Sequence, residues 1–417
     1  MILIARRFVL LGLLIFVYST LPANAANDPV PNIVIQAENL NLGFDLPINN
    51  DRQNANSPYD QDNAEWWTIV ARTDGTVTIP GGNEKYIKNI NTNIYVKFLN
   101  GLNGADYKCR VPAAYANLIE VVNDATNQDV MQQNTKLRIT GKNPSNALDI
   151  PIIGQIEIYK LGSPTKKLNV YLMKVRKIVL DVYFVKALSS TQTEPPVAFI
   201  TPATIIQRLN EIYRQACIEF ELSSGSSSNL TTFNYDVLGT PHNLKLDTNV
   251  GINTYGTEGD LIFGIGPGSF SITRKLSLII VQDLLVTHLG EQQPGNDVGI
   301  TPTNHNAPVI SPNRCVVETK HFEGSLPGGG NDLEGFYLTC AHEIGHVLGL
   351  STRDDTVIMH DPGQFPLNQY NLDGTPANNG QAPRMDGSLM KEGLGAWKWI
   401  RHEDWKWANE QAPKFTP

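Results

Sequence analysis

The chain has 417 residues, which is too long for one ordinary domain and predicts two or three. Its hydrophobic fraction of 41% is typical of a globular protein. A net charge of −8 and a pI near 5.5 argue against nucleic acid as a partner.

The first 25 residues have the pattern of a secretory signal peptide. Arg6 and Arg7 precede an apolar run at 8–21, and Ala23 and Ala25 fit the small-x-small rule for cleavage. No later stretch is apolar for long enough to span a bilayer. We therefore expect a mature chain that is secreted or periplasmic, without stable insertion into the membrane.

The region 26–174 is predicted to be a β-rich domain. Short strands are indicated at 76–79, 94–98 and 156–159, between turns rich in Asn and Gly. A helical pattern at 113–129 interrupts them. The sequence leaves open whether this domain is a prodomain, a substrate-binding module or a spacer.

A second domain is predicted for residues 175–417. Strands are expected at 178–185, 218–222, 260–263 and 276–281. The first of these is apolar on both faces, which is typical of a buried strand. Thr201 and Pro202 begin a helix that is expected to run to about Cys217.

Four cysteines occur in this chain, an even number in a protein expected to be exported: Cys109, Cys217, Cys315 and Cys340. They allow two disulfides, of which Cys315–Cys340 would link the motif helix to the segment before it. The alternative is that they are buried free thiols.

Two histidines four residues apart form the most informative feature, His342-Glu343-Ile344-Gly345-His346. Apolar residues at helical spacing predict a helix here, with a cap at Asn331-Asp332 and an end at Gly349. Side chains at i and i+4 lie on one face of a helix. His342 and His346 can therefore bind the same ion, with Glu343 beside it.

This spacing also predicts a reaction. Zinc bound by neutral imidazoles lowers the pKa of a coordinated water to about 7, and a neighbouring carboxylate can take the water's proton as it attacks a carbonyl. The pattern therefore predicts Zn²⁺ as cofactor, His342 and His346 as metal ligands, and Glu343 as the general base of amide hydrolysis.

With Gly349 three residues after His346, the motif resembles the metzincin clan of zinc endopeptidases. In that clan a third ligand, His or Asp, follows the glycine by three residues. Thr352 stands at that position here, and a neutral hydroxyl is a poor zinc ligand. His360 is the first candidate for the third ligand, because it is an imidazole that Asp361 could orient.

Carboxylates are the other candidates for the third ligand. Asp354 and Asp355 come after His360 in preference, followed by Glu392 and Glu403. Glu403 would serve in a gluzincin, where a glutamate from a later helix is the last ligand. Gly349 favours the metzincin likeness instead.

Metzincins also carry a methionine in a tight turn beneath the metal. Met390, followed by a Trp-rich helical stretch at 396–408, resembles that turn and the C-terminal helix after it. Met359 is the alternative. The resemblance implies an α/β (α+β) catalytic domain with a twisted sheet and an active-site helix.

These features predict an exported zinc endopeptidase acting on a protein or peptide substrate. The alternative is a secreted binding or adhesion protein that keeps the catalytic fold after its zinc site has decayed, because Thr352 replaces the expected ligand. Cys109, in Lys108-Cys109-Arg110-Val111-Pro112, also resembles the cysteine switch of matrix metalloproteinases, in which a propeptide thiolate occupies the open zinc position.

Overall fold

Mixed helices and strands give the chain an α+β fold. The computed structural model describes residues 33–37, 66–70, 93–123, 131–142, 150–160, 163–187, 200–226, 229–233, 244–247, 262, 276–288, 291–292, 299–300, 313–325, 329–350, 389, 400 and 402–415. The predicted signal peptide and the strand predicted at 76–79 lie outside these ranges. Among the described helices, none has the length and apolarity needed to cross a membrane.

The N-terminal strands form two four-stranded sheets. These strands are β1 Ile33–Ala37, β2 Trp66–Val70, β3 Asn93–Phe98, β4 Lys108–Arg110, β5 Ile119–Asn123, β6 Asn134–Gly141, β7 Ile152–Lys160 and β8 Ser163–Met173. The first sheet has the order β1-β3-β6-β5 and is antiparallel. The second has the order β2-β8-β7-β4, with β2 parallel to β8 and the other pairs antiparallel.

A shared hydrophobic core joins these two sheets. Leu137 and Ile139 of β6 are fully buried, and they belong to the same cluster as Ile156 of β7 and Val170 of β8. Along β6, buried residues alternate with half-buried or exposed ones. This alternation is typical of a strand that has one face in a core. The β-rich character predicted for this region is confirmed.

The helix predicted at 113–129 is wrong over its described residues, 113–123. Pro112 precedes a single 3-10 turn, Ala113–Tyr115, and the chain then enters β5, which pairs antiparallel with β6. The β-branched residues Val121 and Val122 suit a pleated sheet better than a helix. Residues 119–123 are therefore a strand because they pair with β6, although their local sequence pattern is helical.

A mostly parallel sheet forms the centre of the second region. The strands are β9 Arg176–Ala187, β10 Ile218–Leu222, β11 Leu230–Phe233, β12 Leu244–Asp247, β13 Leu276–Val281, β14 Leu284–His288, β15 Glu291–Gln292, β16 Gly299–Ile300 and β17 Arg314–Glu318. The sheet order is β10-β9-β13-β17-β16, with β11 also on β9. β16 is antiparallel to β17, and the other pairs are parallel. A small separate sheet has the order β12-β14-β15.

Helices pack into one core with this sheet, among them α1 Pro202–Tyr213, α2 Leu333–Val347 and α3 His402–Gln411. Thr201 and Thr204 form a capping box at the start of α1, as Thr201-Pro202 predicted. Cys217 adopts a left-handed conformation (φ 53°) in the turn from α1 into β10. The strands predicted at 178–185, 218–222 and 276–281 are confirmed.

The strand predicted at 260–263 is wrong at its described residue. Ile262 is helical, fully buried, and accepts a hydrogen bond from Nη1 of Arg314 at 2.7 Å through its carbonyl. A short apolar run fits a buried helix and a buried strand equally well, so its periodicity does not separate them.

Candidate metal centre

The helix α2 carries the H-E-x-x-H motif, and its two ends are fixed by local hydrogen bonds. Asp332 caps its start by accepting from the Gly335 amide at 2.9 Å. At its end, Gly349 has φ 72° and donates to His346 O at 2.9 Å, while Leu350 donates to Gly345 O at 3.0 Å. This pair of bonds is a Schellman motif. The predicted start and end of the helix are confirmed.

The motif residues lie in a largely apolar environment. α2 packs against β17, and its neighbours Ala341 and Ile344 are fully buried. His342, Glu343 and His346 are 7%, 6% and 9% exposed. Burying three polar side chains together is costly unless hydrogen bonds or a metal ion compensate. These three residues form a group whose candidate ligand atoms all lie within 4.8 Å of one another.

The two imidazoles face each other at a distance that suits a shared ion. Nε2 of His342 lies 3.0 Å from Nε2 of His346, with the ring planes at 83°. Zinc–nitrogen bonds of about 2.0–2.1 Å at a tetrahedral angle place two ligand nitrogens about 3.3 Å apart. The predicted pairing of His342 and His346 on one face of the helix is therefore present, and its spacing fits a metal.

The carbonyl of Leu389 fixes the tautomer of His342. Nδ1 of His342 lies 2.6 Å from this oxygen, and both residues are buried. Because a carbonyl only accepts, the hydrogen must be on Nδ1, which leaves the lone pair of the neutral ring on Nε2. A backbone carbonyl on the distal nitrogen is the usual support of a metal-binding histidine.

Two buried thiols lie close to Glu343. Burial, and to a smaller extent the negative charge of Glu343, raises the pKa of Cys315 and of Cys340 well above the ordinary value. Both thiols therefore stay protonated at neutral pH. All four cysteines are buried and none forms a disulfide in the structure, so the Cys315–Cys340 disulfide considered from the sequence is not formed.

Cys109 lies in β4, in the core shared by the first two sheets. It is 3% exposed and belongs to a different hydrophobic cluster from the motif helix. In this structure the thiol therefore does not occupy the position that a cysteine switch requires.

The candidates for a third ligand lie outside the described part of the chain. This applies to His360, Asp354, Asp355 and Glu392, and also to Met390. Glu403 is in the first turn of α3, where the structure describes the backbone alone. The third ligand stays a prediction.

Sequence reasoning missed Leu389, although it marked the adjacent Met390 as part of a turn near the metal. A carbonyl is present at every residue, so the residue type of Leu389 gives no sign that its oxygen orients His342. The one available signal was the position next to the predicted methionine turn.

The sequence matches no protein-family model and no curated protein. A solved structure of a family 123 glycoside hydrolase from Clostridium perfringens, described in terms of glycolipid glycan hydrolysis, is similar over a part of the chain. The two are 12% identical, the alignment covers 45% of this chain and 37% of that one, and the TM-score is 0.20. The chain thus aligns with little more than a third of that enzyme, and a likeness of this size carries no argument about fold or activity.

Proposed function

We propose that the protein is an exported, metzincin-like zinc endopeptidase that hydrolyses peptide bonds in a protein or peptide substrate. One observation carries the proposal. The Nε2 atoms of His342 and His346 lie 3.0 Å apart, and the Leu389 carbonyl holds the hydrogen of His342 on the opposite nitrogen. With its hydrogen on Nδ1, His342 has a lone pair on Nε2, and two buried imidazole nitrogens this close together are suited to binding one metal cation.

The residues of the motif divide the work between binding and proton transfer. His342 and His346 would hold the ion. When bound, zinc would lower the pKa of a water molecule and polarise the scissile carbonyl. The Glu343 carboxylate would accept the proton of the attacking water and return it to the leaving amine. Its position suits this role, because it is next to His342 in sequence and its carboxylate lies in the same buried group as the two imidazoles.

The fold around the motif supports the metzincin likeness. The chain passes through β9, α1, β10, β13, β17 and α2 in that order, with the short strands β11, β12 and β14–β16 between them. This is the order of strand, helix, strands and active helix that the resemblance implies. Gly349 ends α2 in a left-handed turn, as the glycine of the clan's motif does. We propose His360 as the third ligand, with Asp354 and Asp355 as the alternatives.

The test is the zinc content of the mature protein together with its cleavage of denatured casein. One zinc per chain, with proteolysis that disappears in Glu343→Ala, would support the endopeptidase. A protein that binds no zinc and cleaves nothing would contradict it and favour a binding protein whose metal site has decayed. If the protein binds zinc but does not cleave casein, its activity is tested on a peptide library. The proposal then stands only if the wild type cleaves peptides from this library and Glu343→Ala does not.

A further inference from the structure

A buried hydrogen bond connects α1 to the turn of α2 that carries the first histidine. Tyr213, the last residue of α1, donates its phenolic hydroxyl to the carbonyl oxygen of Ala341 at 2.7 Å. Both residues are fully buried. Ala341 directly precedes His342, so the hydroxyl of Tyr213 acts on the peptide unit that joins these two residues.

The Tyr213 side chain approaches from a firmly held part of the fold. Its ring packs edge to face against Phe220 of β10, with the centroids 5.3 Å apart. One turn earlier, Asn210 makes two hydrogen bonds to the backbone of the same Phe220. Gln215, just after α1, donates to Ile212 O at 2.7 Å. The end of α1, from which the Tyr213 hydroxyl reaches α2, is therefore fixed to β10.

The hydrogen bond from Tyr213 adds to the helix's own bonding. In an α-helix the carbonyl of residue 341 also accepts the amide of the residue four positions later, and its second lone pair is available for another donor. His342 is then supported twice: Leu389 orients its ring, and Tyr213 holds the backbone from which that ring projects. Functional groups need to be placed within about 0.5 Å to be effective, so both supports matter for a pair of nitrogens 3.0 Å apart.

We propose that Tyr213 is a positioning residue of the metal centre, which sets the affinity for zinc by fixing His342 through the Ala341 carbonyl. This inference rests on the proposed function, because it assumes that His342 and His346 bind zinc. The hydroxyl of Tyr213 bonds to a backbone carbonyl, so its effect on the metal site would be transmitted through His342.

The test compares Tyr213→Phe with Tyr337→Phe. Tyr337 is on α2, one turn before the motif, and its hydroxyl also bonds to α1, at 3.3 Å from Oγ1 of Thr204. Each variant removes one hydroxyl between the same two helices and keeps the ring. The Phe220 contact and the volume of the core remain in Tyr213→Phe, and we expect it to fold.

Zinc affinity is measured by competition with a chromogenic chelator, and independently as the rise in unfolding midpoint on adding zinc. We expect Tyr213→Phe to weaken affinity by roughly 3- to 10-fold, less than the 10- to 100-fold typical when a group bonded directly to a ligand ring is lost. Tyr337→Phe should leave affinity within twofold of the wild type. The Nδ1 proton resonance of His342 should shift in the first variant alone.

The outcomes separate this inference from the proposed function. If the wild-type protein binds no zinc, both the proposed function and the role of Tyr213 are overturned. Zinc binding in the wild type with the same affinity in Tyr213→Phe would overturn the role of Tyr213 and leave the metal centre intact. Equal weakening in both variants would also overturn it, because the loss would then follow stability and not position.

Discussion

The side-chain amide of Asn210 pairs with both backbone groups of Phe220. Its Nδ2 donates to the Phe220 carbonyl at 3.0 Å, and its Oδ1 accepts from the Phe220 amide at 2.6 Å. β10 has β9 on one side, and on the other the amide of a helix residue takes the place of a neighbouring strand. α1 is fixed to the sheet in this way.

Replacing Asn210 with Ala should therefore destabilise the protein strongly. It leaves a buried N–H and a buried C=O of Phe220 without these partners, and each orphaned group costs about 1–3 kcal/mol. We expect a loss of roughly 2–4 kcal/mol in the free energy of unfolding, measured by urea denaturation. Gln207→Ala, on the exposed side of the same helix, is the control and should change stability by less than about 0.5 kcal/mol. Equal effects of the two substitutions would show that the Asn210 pairing adds nothing.

Glu343→Gln should separate metal binding from catalysis. The amide is close in size to the carboxylate but cannot accept a proton, and general-base catalysis typically contributes 10²–10⁴-fold. We expect kcat on a peptide substrate to fall by about that factor while the zinc content stays at the wild-type level. Metal analysis and a peptidase assay on the same sample check both. Loss of zinc along with activity would mean that Glu343 acts as a ligand.

His360→Ala tests the proposed third ligand. Loss of a direct ligand should weaken zinc binding by more than about 100-fold, since indirect partners of ligands already account for 10- to 100-fold. His321→Ala is the matched control, because His321 lies in a 3-10 turn between β17 and α2 and outside the metal cluster. Chelator competition gives both affinities. If His360→Ala binds zinc as tightly as His321→Ala, Asp354→Ala and Asp355→Ala are measured in its place.

Glu318, at the end of β17, should make stability depend on pH. Burial raises the pKa of this carboxyl from 4.5 to about 7, although the Leu284 amide donates to it at 2.8 Å. Since the pKa is higher in the folded state, the folded protein holds the proton more tightly, and stability falls as pH rises from about 4.5 to 7. The difference is on the order of 2–3 kcal/mol.

The measurement is urea unfolding of wild type and Glu318→Gln at pH 5 and pH 8. The amide oxygen can still accept from Leu284, so the variant should gain stability relative to wild type at pH 8 and little at pH 5. Glu323→Gln, at an exposed position in the following turn, is the control for removing one negative charge. A Glu318→Gln protein whose advantage is the same at both pH values would contradict the raised pKa.

The elements that were predicted correctly are those whose structure is indicated by their own local sequence. α2 has its cap at Asp332, its apolar spacing and its terminal Gly349 in one short segment, and the pairing of His342 with His346 follows from helix geometry. β9 was predictable because both of its faces are apolar.

Features that depend on distant partners were not predictable. β5 has a helical pattern locally, and its pairing with β6 decides its structure. The Leu389 carbonyl lies 47 residues from His342, and the Tyr213 hydroxyl lies 128 residues from Ala341. A backbone oxygen has no residue type, so no pattern of side chains indicates which one orients an imidazole.

The strand β8 has consequences for any processing of the chain. Alternate side chains face two different cores: Val170 and Leu172 belong to the first, while Tyr171 and Met173 belong to the second. The Tyr171 ring also meets Trp405 of α3 edge to face at 6.4 Å. A cut between β8 and β9 that released the N-terminal strands would uncover the tryptophan and open the core that also contains Ala341 and Ile344 of α2. The two regions are in this respect halves of one folding unit, and a cleavage that preserves the second core would have to leave β8 attached.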